Sequence, residues 1–204
     1  MLMDADECQL VLVDYQLRLM PAMHDSAAVL AQAVRLARMA QLMQVPVWAT
    51  AQNPEKLGAQ APELQTVLQE AGAQELSKMH FSAVPDGLAQ ALRPPVRKSA
   101  GNARSLPRHL QKSAPPDEGR SAVVLAGCEA HICLLQTALE LLQEDFEVWV
   151  VTDACSSRTE RNRDAAFDRL AGAGAELVTT EMVAFEWLRT ASHPAFKAMQ
   201  ALVK

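Results

Sequence analysis

The sequence predicts an α/β protein, a three-layer α/β/α sandwich built on a six-stranded parallel sheet. Short apolar runs that suit buried parallel strands alternate along the 204 residues with segments whose apolar residues recur at helical spacing. Half of the residues are hydrophobic and 21% are charged, which is ordinary for a globular protein. This length can bury one full core, so we expect a single domain over residues 1–204.

The first half of the chain predicts three strands, each followed by a helix. The first strand ends at the carboxylate of Asp14, and the third ends at the ammonium of Lys78. Ser26 is a candidate N-cap for the first helix. The predicted strands are 8–14, 45–50 and 75–78, and the predicted helices are 26–43, 62–71 and 85–92.

The stretch from Arg93 to Arg120 differs in composition from its surroundings. It holds two Pro-Pro pairs, several Ser and Gly, and seven Lys or Arg against two acidic residues. This composition predicts a basic, Pro-rich insertion into the domain at about 93–120 that is exposed to solvent. Contact with an anion or a partner is the alternative to a purely solvated loop.

The second half begins with the most informative segment of the chain. An apolar run from Ala122 to Ala126 suits a strand buried on both faces, and Gly127 ends it. Helical spacing from 132 to 142 then places Cys133 in the first turn of a helix. The N-terminus of a helix lowers a thiol pKa and supplies N–H donors for an oxyanion, so Cys133 is a candidate nucleophile. The alternative is a cysteine that packs as a small hydrophobe.

Two further strands, 147–152 and 175–178, complete the predicted sheet, with helices at 159–171, 180–188 and 193–202. Strands that alternate with helices indicate a parallel, Rossmann-like sheet with right-handed crossovers. Such sheets bind ligands beyond the carboxyl ends of their strands. Asp14, Lys78 and Cys133 all lie at or just past such ends, so we expect them to share one pocket.

Charge and composition argue against several classes of function. The net charge of −5 is unlike that of nucleic-acid-binding proteins, which carry a basic excess. The acidic start is unlike a signal peptide, and no apolar run reaches the roughly 18 residues of a membrane span. None of the four cysteines forms a Cys-x-x-Cys pair. We therefore expect a cytoplasmic protein with a small-molecule substrate, and neither a nucleic-acid nor a membrane partner.

Four motifs in order resemble the isochorismatase-like superfamily of cysteine hydrolases, and within it the isochorismatase domain-containing proteins. The similarity covers most of the chain outside the basic insertion. The matching segments are Leu-Val-Asp14-Tyr-Gln16, Lys78-Met-His-Phe81-Ser-Ala, Gly127-Cys-Glu-Ala-His131-Ile-Cys133 with Gln136-Thr-Ala-Leu, and Val150-Val-Thr-Asp153-Ala-Cys-Ser-Ser-Arg158.

The resemblance implies a catalytic triad of Asp14, Lys78 and Cys133. Asp14 would take the thiol proton, and Lys78 would stabilise the thiolate while Cys133 attacks a carbonyl carbon. The family also implies a cis peptide bond between Cys128 and Glu129. The N–H groups of Glu129 and Cys133 would then form an oxyanion hole. A small amide or carbamoyl compound is the expected substrate class, and its identity stays open.

Metal-binding relatives carry an Asp-x-His element after the second strand, whereas this chain has Thr-Ala-Gln-Asn53-Pro there, so we expect no metal and no cofactor. Candidate pocket residues on the loops beyond the strand ends are Gln16, Asn53 and Phe81. His131 lines the pocket or satisfies a loop carbonyl, with the second role favoured. The family and the apolar C-terminal helices imply a homo-oligomer, a dimer or larger.

Two other functions fit the same sequence. A thiol redox enzyme would use Cys133 with Cys128 or Cys155 as the resolving thiol. A binding or scaffold protein would keep the fold without turnover.

Overall fold

The structure, a computed structural model, describes residues 2–93 and 119–204. Its strands are β1 (Cys8–Val13), β2 (Val47–Gln52), β3 (Gln74–Lys78), β4 (Ala122–Gly127), β5 (Glu147–Val151) and β6 (Glu176–Val178). The α-helices within these residues are α1 (Ser26–Leu42), α2 (Pro54–Leu57), α3 (Pro62–Glu70), α4 (Leu88–Leu92), α5 (Leu135–Gln143), α6 (Glu160–Gly172), α7 (Thr180–Leu188) and α8 (Phe196–Val203). The interior of the predicted insertion at 93–120 lies outside the described residues.

The strands form one parallel sheet in the order β3-β2-β1-β4-β5-β6. The chain runs outward from β1 to β3, returns to the centre at β4, and runs outward again to β6. Because right-handed crossovers in opposite directions cover opposite faces, α1 and α3 lie on one face and α5 and α6 on the other. Helices α7 and α8 pack against α1. The predicted six-stranded, three-layer α/β fold is confirmed.

The central strands are buried along their whole length. All six residues of β1 and all six of β4 are buried, as expected for strands covered on both faces. These two strands lie side by side at the point where the strand order reverses, with Val13 paired to Gly127. A β-carbon on Gly127 would lie 2.3 Å from the main-chain oxygen of Val13, so only glycine fits this position.

Several element boundaries differ from the sequence predictions. Strand β2 continues to Gln52, two residues beyond the predicted end. Asp25, in a left-handed conformation, precedes α1 as its N-cap in place of Ser26. A π-helical segment, Ala130–Leu134, precedes α5, so Cys133 lies in a wider turn than the predicted α-helical one. Because such local geometry depends on contacts with neighbouring strands and loops, hydrophobic spacing alone does not reveal it.

Candidate active site

Three strands end at, or lead into, the residues of the candidate site, which lies at the carboxyl ends of the strands. Asp14 directly follows β1 with a positive φ of 56°, and Lys78 is the last residue of β3. Cys133 lies in the π-helical segment that follows β4. Because β1 and β4 are adjacent, residues over a hundred positions apart in sequence meet at the reversal point of the strand order.

Asp14 and Lys78 form a buried ion pair. Lys78 Nζ lies 2.7 Å from Asp14 Oδ2, and both side chains are fully buried. The other carboxylate oxygen of Asp14, Oδ1, accepts a hydrogen bond of 2.7 Å from the Thr50 hydroxyl. Two charges removed from water require this kind of mutual compensation, because an unpaired buried charge is strongly destabilising. Asp14 and Lys78 therefore offset each other's charge in a part of the site that is shielded from bulk solvent.

Three neutral oxygens complete the surroundings of the Lys78 ammonium. Gln52 Oε1 accepts at 2.7 Å, the Phe81 carbonyl at 3.0 Å and the His80 carbonyl at 3.4 Å. Sequence reasoning did not identify Gln52, because it ended the second strand at Thr50. With β2 extended, Gln52 is the register partner of Lys78, and this pairing is the signal that a correct strand boundary would have supplied.

Cys133 is 6% exposed, and its thiol lies close enough to Asp14 and Lys78 for both charges to shift its pKa. The expected lowering of its pKa is wrong. Burial raises the pKa of the Cys133 thiol to about 12, and the negative charge of Asp14 adds to that rise. The Lys78 ammonium acts in the opposite direction but is the weaker influence. Desolvation therefore outweighs the helix N-terminus, and the resting form is the thiol.

The turn that carries the nucleophile candidate is tied to the segment after β5. The peptide bond between Cys128 and Glu129 is cis. Ala130 N–H donates to the Ser156 carbonyl at 2.7 Å, and the Glu129 carboxylate binds Arg158 Nε at 2.9 Å. No described residue accepts a hydrogen bond from the Glu129 N–H. This main-chain donor lies four residues before Cys133.

The other predicted pocket residues occupy different environments. Gln16 is fully buried, and its side-chain amide forms hydrogen bonds with the main chain of Gln52 and Gly58. It therefore connects the end of β2 to the residue that follows α2. Asn53 is half-buried, and its N–H donates to the carbonyl of Lys78. The Phe81 side chain is 55% exposed while its carbonyl holds Lys78.

His131 contacts the segment after β5 and helix α6. Its Nδ1 lies 2.9 Å from the Ser157 hydroxyl, and its Nε2 lies 3.4 Å from the Asn162 amide. Both ring nitrogens therefore meet side chains of the segment after β5 and of α6. This placement agrees with the structural role that the sequence analysis favoured.

No group of three His, Cys, Asp or Glu side chains within residues 2–93 and 119–204 could hold a metal ion. All four cysteines are free and buried. Burial raises the pKa of the Cys155 thiol to about 12 and raises that of Cys128 further. None of the described helices is long and apolar enough to cross a membrane.

Comparisons with known proteins agree on one family. The family model described as the isochorismatase domain matches residues 8–182. Isochorismatase domain-containing protein 2A of Mus musculus is 34% identical over 195 residues, which cover 96% of this chain and 82% of the mouse protein. The structure of the MAR1 ribonuclease of Caenorhabditis elegans superposes with a TM-score of 0.79 at 28% identity, covering 100% of this chain and 92% of that one.

A second solved structure shares the fold at lower identity. The YcaC gene product of Escherichia coli, described as an octameric hydrolase of unknown specificity, has a TM-score of 0.77 at 23% identity and covers 98% of this chain and 87% of its own. The family match extends from the first residue of β1 into α7 and so includes all three polar strand ends. The chain belongs to the isochorismatase family, and this membership supports hydrolase chemistry.

Proposed function

We propose that the protein is a cysteine hydrolase that cleaves a small amide or carbamoyl compound through a thioester on Cys133. One observation carries the proposal: a buried carboxylate and ammonium, 2.7 Å apart, lie beside one buried thiol and both act on its pKa. A base, a cation and a nucleophile in contact are the groups that nucleophilic catalysis at a carbonyl requires.

The first half of the reaction forms the thioester. A thiol whose pKa is about 12 does not lose its proton to water at neutral pH, so the proton passes to Asp14 as the sulfur attacks. The carbon–sulfur bond forms, and the carbonyl electron pair moves to the oxygen. The N–H groups of Glu129 and Cys133 are proposed to bind this oxyanion. When the carbon–nitrogen bond breaks, Asp14 returns the proton to the leaving amine.

The second half releases the acid. Asp14 takes a proton from water, the hydroxide attacks the thioester carbon, and the carbon–sulfur bond breaks. The thiolate regains the proton, so the enzyme returns to its starting state and the net reaction consumes one water. Throughout, the Lys78 ammonium offsets the negative charge that alternates between Asp14 and Cys133.

The structure gives less support to the redox alternative. A resolving thiol must ionise to attack, yet Cys128 and Cys155 are buried and have raised pKa values. A disulfide between Cys133 and either of them after treatment with peroxide, without loss of fold, would favour redox chemistry.

A substrate panel tests the hydrolase proposal. Amides, ureas and carbamoyl compounds are incubated with wild type, Cys133→Ala and the control Cys8→Ala, whose thiol lies at the opposite end of β1. We expect turnover and an acyl mass adduct in wild type and Cys8→Ala, and neither in Cys133→Ala. RNA is included, because the C. elegans relative is named a ribonuclease. Absence of any adduct or turnover, or RNA cleavage that survives Cys133→Ala, would contradict the proposal.

We also propose a homo-oligomer. The exposed apolar side chains of Met182 and Phe185 lie three residues apart on α7, and they offer a surface that another copy could cover. Sedimentation velocity at several protein concentrations tests this proposal. A single monomeric species at all concentrations would refute it.

A further inference from the structure

One side of the helix that follows the nucleophile carries two polar residues at helical spacing. Thr137 and Glu140 lie four and seven residues beyond Cys133, a spacing that aligns side chains along one face of a helix. Thr137 is fully buried, and Glu140 is partly buried. The triad described above uses neither residue.

Both residues bind the loop that follows Lys78. The Ser82 hydroxyl donates a hydrogen bond of 2.6 Å to Glu140 Oε2, and the Ala83 N–H donates one of 3.1 Å to Thr137 Oγ1. Ser82 is 3% exposed, so water has little access to replace the Glu140 contact. Hydrogen bonds to an ionised acceptor are shorter and stronger than neutral ones.

The same loop holds the catalytic ammonium. The residue before Ser82 is Phe81, whose carbonyl accepts the hydrogen bond of 3.0 Å from Lys78 Nζ. A continuous path of contacts therefore runs from the helix behind Cys133, through Glu140 and Ser82, to the Lys78 ammonium. The helix that follows the thiol thus also fixes the cation that the thiol requires.

We infer that Glu140 is a positioning residue: through Ser82 and the Phe81 carbonyl, it sets the position of Lys78 relative to Cys133. This inference rests on the proposed function. Without the Glu140 contact, the Ser82 loop is free to shift, and the Phe81 carbonyl moves with it. A displacement of Lys78 by even an ångström weakens the stabilisation of negative charge on the sulfur.

The direct charge of Glu140 and its positioning role predict opposite results. Removal of a negative charge near the site would by itself favour the thiolate and speed alkylation of Cys133. Displacement of Lys78 disfavours the thiolate, because the ammonium lowers the thiol pKa, and therefore slows alkylation. The charged groups that act on the thiol are those of Asp14 and Lys78, so the position of Lys78 dominates the outcome.

The test measures the rate at which iodoacetamide modifies Cys133 between pH 7 and 9.5, read by peptide mass spectrometry. The variants are Glu140→Ala, Ser82→Ala, their double variant, and Glu140→Gln, which loses the charge but keeps an acceptor. Glu144→Ala is the matched control, since Glu144 follows the same helix and pairs with Arg93 on the surface. Thermal melts establish that each variant is folded.

We expect Glu140→Ala and Ser82→Ala each to slow alkylation about tenfold at a given pH, equivalent to a rise of one pKa unit. The double variant should be alkylated no more slowly than either single variant, because both substitutions interrupt the same path of contacts from Glu140 through Ser82 to Lys78. Glu140→Gln and Glu144→Ala should label as wild type does. With a substrate from the panel, kcat should fall while KM stays unchanged.

Two results would overturn the inference. One is a lowered melting temperature with unchanged alkylation, which indicates a purely structural contact. The other is faster labelling of Glu140→Ala, which indicates a direct charge effect. The variant Lys78→Gln distinguishes a failure of the Glu140 inference from a failure of the proposed function. If Lys78→Gln slows alkylation and Glu140→Ala does not, only the inference fails. If Lys78→Gln also has no effect, the triad itself is refuted.

Discussion

At the scale of single residues, burial holds the Cys133 thiol, the proposed nucleophile, in its protonated form. Burial raises the pKa of the Cys133 thiol to about 12, so almost no thiolate exists at neutral pH. In the proposed mechanism, the sulfur therefore becomes nucleophilic only when the neighbouring Asp14 accepts its proton. A buried thiol beside a buried base is thus compatible with catalysis, although the thiol alone is unreactive.

Neutralising each charged partner of the thiol has a different consequence. In Asp14→Asn, the unpaired Lys78 ammonium favours a thiolate in place of the lost carboxylate, so iodoacetamide should label Cys133 faster at pH 8. Turnover should nevertheless fall by about 10²- to 10⁴-fold, because the base is missing. In Lys78→Gln, both labelling and turnover should fall. Parallel measurements of the two rates check this, and slower labelling of Asp14→Asn would contradict it.

At the scale of elements, the site depends on how closely β1 and β4 approach each other. Asp14 follows Val13, the last residue of β1, and the turn to Cys133 follows Gly127, the last residue of β4. These two terminal residues are register partners. Any separation of the strand ends therefore moves Asp14 away from the Cys133 thiol.

Gly127→Ala should be strongly destabilising. Its β-carbon would approach the Val13 carbonyl to 2.3 Å, and a main-chain atom in a central strand cannot easily move. We expect a loss of about 3 kcal/mol or more in the free energy of unfolding, the upper range for overpacking. Gly172→Ala is the control, because no atom beyond its chain neighbours and the backbone of its own helix lies within 4 Å of the added carbon. Urea unfolding measures the stability of both variants. If Gly127→Ala is as stable as Gly172→Ala, the steric argument is refuted.

At the scale of the whole molecule, buried thiols and a buried tyrosine hydroxyl make the stability of the fold depend on pH in the alkaline range. Burial raises the pKa of the Cys8 thiol to about 11 and that of the Cys155 thiol to about 12, from an ordinary value of 9.0. Burial also raises the pKa of the Tyr15 hydroxyl well above its ordinary value. Above pH 9 the unfolded chain loses protons that the folded chain retains, so stability falls as pH rises.

The free energy of unfolding should therefore be constant from pH 7 to 8.5 and decline between pH 9 and 11. Each buried thiol contributes about 1.4 kcal/mol per pH unit in this window. Cys155→Ala should show a shallower decline than wild type by one such contribution. Urea titrations under reducing conditions measure the slope. Equal stability at pH 8 and pH 10.5 would show that the thiols ionise freely in the folded state.

Much of the fold could be predicted because its signals are local. Uninterrupted apolar runs such as 122–126 mark strands buried on both faces, and turns with polar residues mark their ends. The pairing of Gln52 with Lys78 was missed, because a two-residue error in a strand end hides a register partner. The sign of the Cys133 pKa shift was wrong, because a helix start is visible in sequence whereas the depth of burial is not.

The sequence by itself determined the family, the order of strands and helices, and which carboxylate, ammonium and thiol follow strand ends. Only the tertiary structure decided that the carboxylate and the ammonium are 2.7 Å apart, that the thiol is buried beside them, and that Ser82 ties Lys78 to Glu140. The physical reason is that the succession of strands and helices along the chain follows from local sequence patterns. Distances, burial and hydrogen-bond partners arise instead from contacts between segments that are far apart in the sequence.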